Sequence, residues 1–172
     1  MIEYFNYGTL KFQQSEVVYM VDVSTLPDIM QKNLNDLDCP VYDAKPWVNE
    51  RPLSERRVAL ISSAGIHRRS DKHFVGSDAS YRSIAGGVNP VDIVMSHVSV
   101  NFDRSAFQQD LNSILPIQHL EDLADKGVID SVSPTHYSFM GATDPRNMAD
   151  EAGQLAAIMG SDNVDTVVLL PV

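Results

Sequence analysis

Cysteine is almost missing from this sequence: Cys39 is the single one in 172 residues. One thiol cannot close an internal disulfide, so a reducing cytoplasm is the expected compartment. Positive charge is also scarce, with 13 Lys and Arg against 23 Asp and Glu and a formal net charge of −10. That balance argues against nucleic acid as the main partner, because phosphate binding is driven by basic surface. No stretch approaches the roughly 20 apolar residues of a membrane span, so no membrane is expected as a partner. The start, Met1-Ile2-Glu3-Tyr4-Phe5, lacks the basic-then-apolar order of a signal peptide. The histidines are scattered, without the H-E-x-x-H or Cys/His spacings of zinc sites, and no metal site is expected. The dinucleotide fingerprint G-x-G-x-x-G, the G-x-S-x-G elbow and Walker-type loops are absent too.

What is present is an ordinary globular composition, 44% apolar and 21% charged, in a length that suits one domain with a sizeable core. Residues 1–51 are weakly patterned. Within them, residues 17–21 (VVYMV) read as a strand. Residues 26–37 read as a helix opened by Ser24 or Thr25, with Pro27 near its first turn. Cys39-Pro40-Val41-Tyr42 and Lys45-Pro46-Trp47 read as an irregular strap.

From Arg56 the signal sharpens, and residues 52–172 read as an α/β domain. Residues 57–63 (RVALISS), 91–98 (VDIVMSHV) and 164–170 (VDTVVLL) are continuous apolar runs of the kind parallel sheets bury on both faces. A short strand is expected over 128–132. Between the runs, residues 115–126 carry Ile117, Leu120, Leu123 and Ala124 at helical spacing and stop at Gly127. Residues 145–159 form a second expected helix, capped by Asp144 and stopped by Gly160. Strands alternating with amphipathic helices predict a mostly parallel open sheet with flanking helices, flavodoxin-like or Rossmann-like in layout. Residues 66–89 are polar and too long for a plain connector, which marks them as a functional loop.

Four segments near predicted strand ends carry chemistry. Residues 62–69 combine a Gly turn with His67 and Arg68, which either hold a carboxylate or form a solvated basic turn. Residues 78–82 gather Asp78, Ser80, Tyr81 and Arg82; the guanidinium either grips a substrate carboxylate or closes a salt bridge with Asp78. Ser96-His97 ends the second apolar run, where His97 is placed for proton transfer or for a structural hydrogen bond. His136-Tyr137-Ser138-Phe139-Met140-Gly141 pairs a third histidine with core or pocket lining. The chain stops at Leu169-Leu170-Pro171-Val172, the tip of an apolar strand. In open α/β sheets ligands collect at such carboxyl ends, so the expectation is an amino-terminal piece of a longer protein.

From Pro52 onward the sequence resembles the selenoprotein B subunit family of glycine/sarcosine/betaine/D-proline reductases. The likeness runs through Leu53-Ser54-Glu55-Arg56-Arg57-Val58-Ala59-Leu60, Ala64-Gly65-Ile66-His67, Ser80-Tyr81-Arg82-Ser83-Ile84 and Ser96-His97 with Asp103 behind it. It continues through Asp110-Leu111-Asn112, Leu115-Pro116-Ile117, Gly127-Val128-Ile129, the 136–141 segment, and Asn163-Val164-Asp165-Thr166-Val167-Val168-Leu169-Leu170-Pro171. About two thirds of the chain matches in order; residues 1–51 contribute little.

The resemblance implies a redox selenocysteine, or a cysteine, just after the last strand; its codon doubles as a stop signal, and this sequence ends before that position. It also implies reductive C–N cleavage of a small amine or amino acid, activated as an adduct with a pyruvoyl-type carbonyl on a partner subunit. A selenolate or thiolate attacks the carbon bearing nitrogen and is restored by thiol electron donors. In that setting Arg82, Arg68, Ser80 and Tyr81 are the candidates for substrate binding, and His67, His97 and His136 for proton delivery. No cofactor is expected within this chain itself. Two rival readings are a non-catalytic small-anion-binding protein built on residues 63–69 and 78–82, and an inactive truncated product.

Overall fold

In the computed structural model, residues 23–36, 41, 51–99 and 104–172 are described. The chain divides into two compact units, Met1–Ala44 and Lys45–Val172. In the first, a 3-10 turn at Val23–Thr25 precedes helix α1, Asp28–Asn35. The residue at its N-cap is Pro27, not Ser24 or Thr25, and no side chain caps the helix. The Gln31 side chain instead donates back to the carbonyl of Leu26 at 2.7 Å. The expected strand at 17–21 and nearly all of the strap lie outside the described residues.

The second unit is built on β1, Arg57–Ser62. Along one edge β1 pairs in parallel with β7, Thr166–Leu170, from Val58↔Thr166 to Ser62↔Leu170. The opposite edge is shared in parallel by β5, Ser131–Val132, and β6, Thr135–Ser138. β6 also pairs antiparallel with β3, Arg82–Ala85. The mostly parallel α/β layout therefore stands. Its faces follow the strand alternation: Val58 and Leu60 join a core with Ile84, Leu115, Ile117 and Leu120, while Ile61 packs toward Tyr137, Phe139 and Leu155. Each fully enclosed Leu or Ile removes enough apolar surface from water to contribute about 2 kcal/mol.

Helix α2, Ser105–Gln109, leads into helix α3, Ile117–Asp125, which starts behind Pro116 and ends at Gly127 with φ +66°. Asp144 accepts from the Arg146 backbone N–H at 2.9 Å and opens a 3-10 turn, Pro145–Met148, that runs into helix α4, Ala149–Ser161. Gly160 does not stop α4. The left-handed position is Asn163, φ +57°, a residue type that tolerates it.

The second apolar run departs from expectation. Residues 90–92 wind into a 3-10 turn, where Pro90 follows an Asn89 that accepts from the Val91 N–H. Only β4, Ile93–Met95, is extended, and it pairs antiparallel with β2, Ile66–Arg68, in a separate ribbon. Apolar content alone did not distinguish a ribbon strand from a central one. The polar stretch 66–89 is likewise not one loop, since it holds β2 and β3.

What orders the rest of that stretch is Arg82. Its guanidinium donates to Asp78 at 2.9 Å, to the Ser80 hydroxyl at 2.7 Å, and to the carbonyls of Tyr81 and Lys72 at 3.0 and 2.8 Å. It also lies 4.2 Å from the centre of the Phe74 ring, within cation–π range. Both charged side chains are only 11% exposed. Burial raises the Asp78 carboxyl, but hydrogen bonds from Ser80 and Arg82 outweigh it and hold the group below its ordinary value.

A gap in the β1 ladder is closed by a ring. Between β5 and β6 the chain detours through Ser133-Pro134, and the Leu60 N–H donates to Nδ1 of His136 at 3.1 Å. His136 is 0% exposed, and burial pushes its pKa down to about 4. Nδ1 as acceptor requires the neutral Nε2–H tautomer.

Two outcomes are expected. Because the unfolded His136 titrates near 6.5 and the folded one near 4, its contribution is complete above pH 6.5 and is lost as pH falls toward 4. The loss reaches about 3 kcal/mol. His136→Asn, whose Oδ1 can still accept from Leu60, should flatten that slope by one proton in urea unfolding measured from pH 4.5 to 7.5; an unchanged slope would refute the assignment. Asp78→Ala, which leaves the Arg82 charge enclosed and unpaired, should cost about 3 kcal/mol in the same assay at pH 7.

Candidate active site

The carboxyl ends of β1, β6 and β7 meet at one end of the sheet and border a cleft of about 560 Å³. Ile61 and Phe139 line it with Pro145, Met148, Leu169 and Pro171, so its walls are mainly apolar. Its polar groups are few, with Ser63 and Thr143 among them. This is the position where open α/β sheets bind ligands, outside the strand ends.

Ser63 joins the three strand ends. Its N–H donates to the Leu170 carbonyl at 3.0 Å, and its carbonyl accepts from the Gly141 N–H at 2.8 Å. Its hydroxyl oxygen accepts from the Val172 N–H at 2.8 Å. Gly141 is required for this approach: a Cβ there would sit 2.7 Å from the Ser63 carbonyl oxygen and 3.0 Å from its Cβ. Two further hydroxyls fix the turn beyond. Ser62 Oγ accepts from the Ala64 N–H at 3.2 Å, and Ser138 Oγ accepts from the Ile66 N–H at 3.0 Å. Across the cleft wall, the buried Thr143 hydroxyl donates to the Asp78 carbonyl at 2.9 Å. Thr143 thereby ties the wall to the loop that Arg82 orders.

None of the seven residues singled out from the sequence is among those lining this cleft. His67, on β2, is buried, with Nδ1 2.8 Å from the Arg68 carbonyl and Nε2 2.8 Å from the Ser96 hydroxyl. Arg68 is half exposed and pairs with Asp71 at 3.0 Å. It borders a separate hollow of about 390 Å³ with Arg69, Ser70, Val88 and Asp92. Ser80 and Arg82 belong to the Asp78 cluster, so the salt bridge is formed. Tyr81 packs edge-on against Tyr137, ring centres 5.6 Å apart.

His97 is buried, and its Nδ1 accepts from the Ser99 N–H at 3.1 Å. Burial and then the nearby Arg104 charge lower its pKa. His67 and His97 thus come together around the β2–β4 ribbon, while His136 sits within the main sheet. The strand-end segments 62–69, 136–141 and 169–172 were visible in the sequence. Thr143, Pro145 and Met148 were not, since they enter the cleft only because the chain after β6 folds back across the strand ends.

An apolar cleft with hydroxyls in its lining can seat a small organic molecule. Among the described residues no group of three or more His, Cys, Asp or Glu is placed to hold a metal ion. Among them, too, no helix is long and apolar enough to cross a membrane.

Comparison with known proteins shows which chains this sequence resembles. The D-proline reductase subunit gamma of Acetoanaerobium sticklandii is 32% identical over 139 residues, covering 78% of this chain and 57% of that protein. The glycine reductase complex component B subunit gamma of Carboxydothermus hydrogenoformans is 25% identical over 140 residues, 78% of this chain and 32% of that protein. The chain therefore spans about half or less of the length of these relatives. No solved structure gives a significant match. The family model described as glycine/sarcosine/betaine reductase selenoprotein B matches residues 35–171. That match takes in the whole sheet and every residue lining the cleft, and on that ground the chain belongs to the glycine/sarcosine/betaine reductase selenoprotein B family.

Proposed function

We propose that the cleft at the ends of β1, β6 and β7 is part of the site where a reductase complex breaks a C–N bond of a small amine or amino acid. The observation that carries this reading is the position of the cleft: three parallel strands deliver their carboxyl ends to it inside the family-matched segment. In this reading a selenol or thiol just beyond Val172 would supply the nucleophile, a carbonyl on a partner subunit would activate the amine, and thiol donors would return the electrons. Phe139, Met148, Pro145 and Leu169 give the site an apolar wall, and a partner subunit closing over it would exclude water around the reacting carbon. Exclusion matters because nucleophile and leaving group interact more strongly with fixed dipoles once bulk solvent is gone.

Proton delivery in this reading belongs to His97, whose backbone lies against the turn at Gly65, because both ring nitrogens of His67 are already engaged by the Arg68 carbonyl and the Ser96 hydroxyl. Burial and then the nearby Arg104 charge lower the pKa of His97, so a proton placed on its ring is released readily, as delivery requires. His136 serves the sheet instead, because its Nδ1 already holds the Leu60 N–H. Arg82 acts on the wall through the Asp78 loop and Thr143. Carboxylate recognition then falls to Arg68 or to a partner subunit.

The test uses the complete protein assembled with its partner subunits. Dithiol oxidation is followed with glycine, sarcosine, betaine or D-proline added singly. One of them should drive oxidation above background, and Met148→Trp, which fills the cleft, should raise its KM about tenfold or more at unchanged melting temperature. Oxidation that none of the four amines stimulates would overturn the reading.

A further inference from the structure

We propose that Ser63 is a positioning residue of this reductase: its hydroxyl sets the backbone at residues 170–172, the strand end that leads to the selenol or thiol of the reading above. The inference rests on that reading and adds the group that holds the nucleophile's backbone in register with the cleft.

The ladder explains why a side chain is needed. Pairing between β1 and β7 ends at Ser62↔Leu170. Past it β1 turns away, since Ala64 bridges antiparallel to Met140 and Gly65 takes φ +62°. Pro171 has no N–H, so the first donor beyond β7 is that of Val172, and Ser63 Oγ receives it at 2.8 Å. Ser63 is itself held on both sides by backbone bonds, its N–H to Leu170 and its carbonyl from Gly141. The close fit of Gly141 against Ser63 blocks displacement in that direction. A hydroxyl on a backbone fixed this firmly is a rigid reference point, and a misplacement of about 1 Å at a reacting centre can cost two orders of magnitude in rate.

Ser63→Ala removes the tie to Val172 and leaves both backbone bonds of Ser63, so the sheet is retained. In the complete complex it should lower kcat about tenfold or more with KM within about twofold. It should also shift the pH profile for alkylation of the selenol or thiol by iodoacetamide, with Ser63→Thr restoring both. In the 172-residue chain, Ser63→Ala should speed exchange of the Val172 amide about tenfold while the Ala59 and Leu60 amides stay protected. Should Ser63→Ala not fold, the near-isosteric pair Ser63→Thr and Ser63→Val makes the same comparison, with and without a hydroxyl. Wild-type kcat and alkylation profile in Ser63→Ala, unchanged exchange at Val172, or equal losses in Ser63→Thr and Ser63→Ala would each overturn the role of Ser63 alone. A complete complex whose intact mass and alkylation show no selenol or thiol at this strand end would overturn the functional reading, and this inference with it.

Discussion

A central strand of a parallel sheet must have the hydrogen-bonding groups of both its edges satisfied, and β1 meets that demand in an uneven way. One edge is given to β7 over five residues. The other is divided among two short strands and the imidazole of His136, which takes the N–H that neither strand reaches. An unpaired amide at Leu60, which is fully buried, would cost about 1–3 kcal/mol. The division of that edge also determines where the strands end. Because β6 joins β1 late, at Ile61 and Ser62, its carboxyl end arrives level with those of β1 and β7, and the cleft forms between them.

The polar residues of the middle segment answer a different constraint. Asp78 and Ser80 sit in a loop that is tied by polar contacts to Arg82, the first residue of β3. The guanidinium makes this tie with four acceptors and an aromatic face. Groups that look reactive in the sequence therefore serve as structural ties, and the cleft beside them is lined largely by carbon. A site of this composition suits the seating of a small molecule with a carbon face and few polar groups.

Membership in the selenoprotein B family and the cleft geometry meet at Ser63 and Gly141. The first matched segment supplies β1, the segment ending in Gly141 supplies β6, and the last supplies β7. The two short residues are what allow the three ends to approach within hydrogen-bond distance. A side chain at position 141 would meet the Ser63 carbonyl and separate the strand ends, whatever the apolar walls contributed.

Much of this was legible in the amino-acid order. The apolar runs at 57–63 and 164–170, the helix stop at Gly127 and the Asp144 cap depend on neighbours within a few residues, and β1, β7, α3 and the entry to α4 follow from them. The parallel α/β class follows from their alternation. Other features were decided by residues distant in sequence. The run at 91–98 became a ribbon strand with β2 because its central-strand role was filled by β6 and β7. His136 turned inward because β5 and β6 left one amide of β1 unpaired. Arg82 was taken up by Asp78, Ser80 and two carbonyls of its own loop before any ligand could compete. The sequence by itself determined which segments extend, which coil and which family they belong to, because those depend on local pattern and composition. Only the tertiary structure decided which side chains face the cleft, because that depends on which strand ends are brought level and which polar groups are already satisfied by one another.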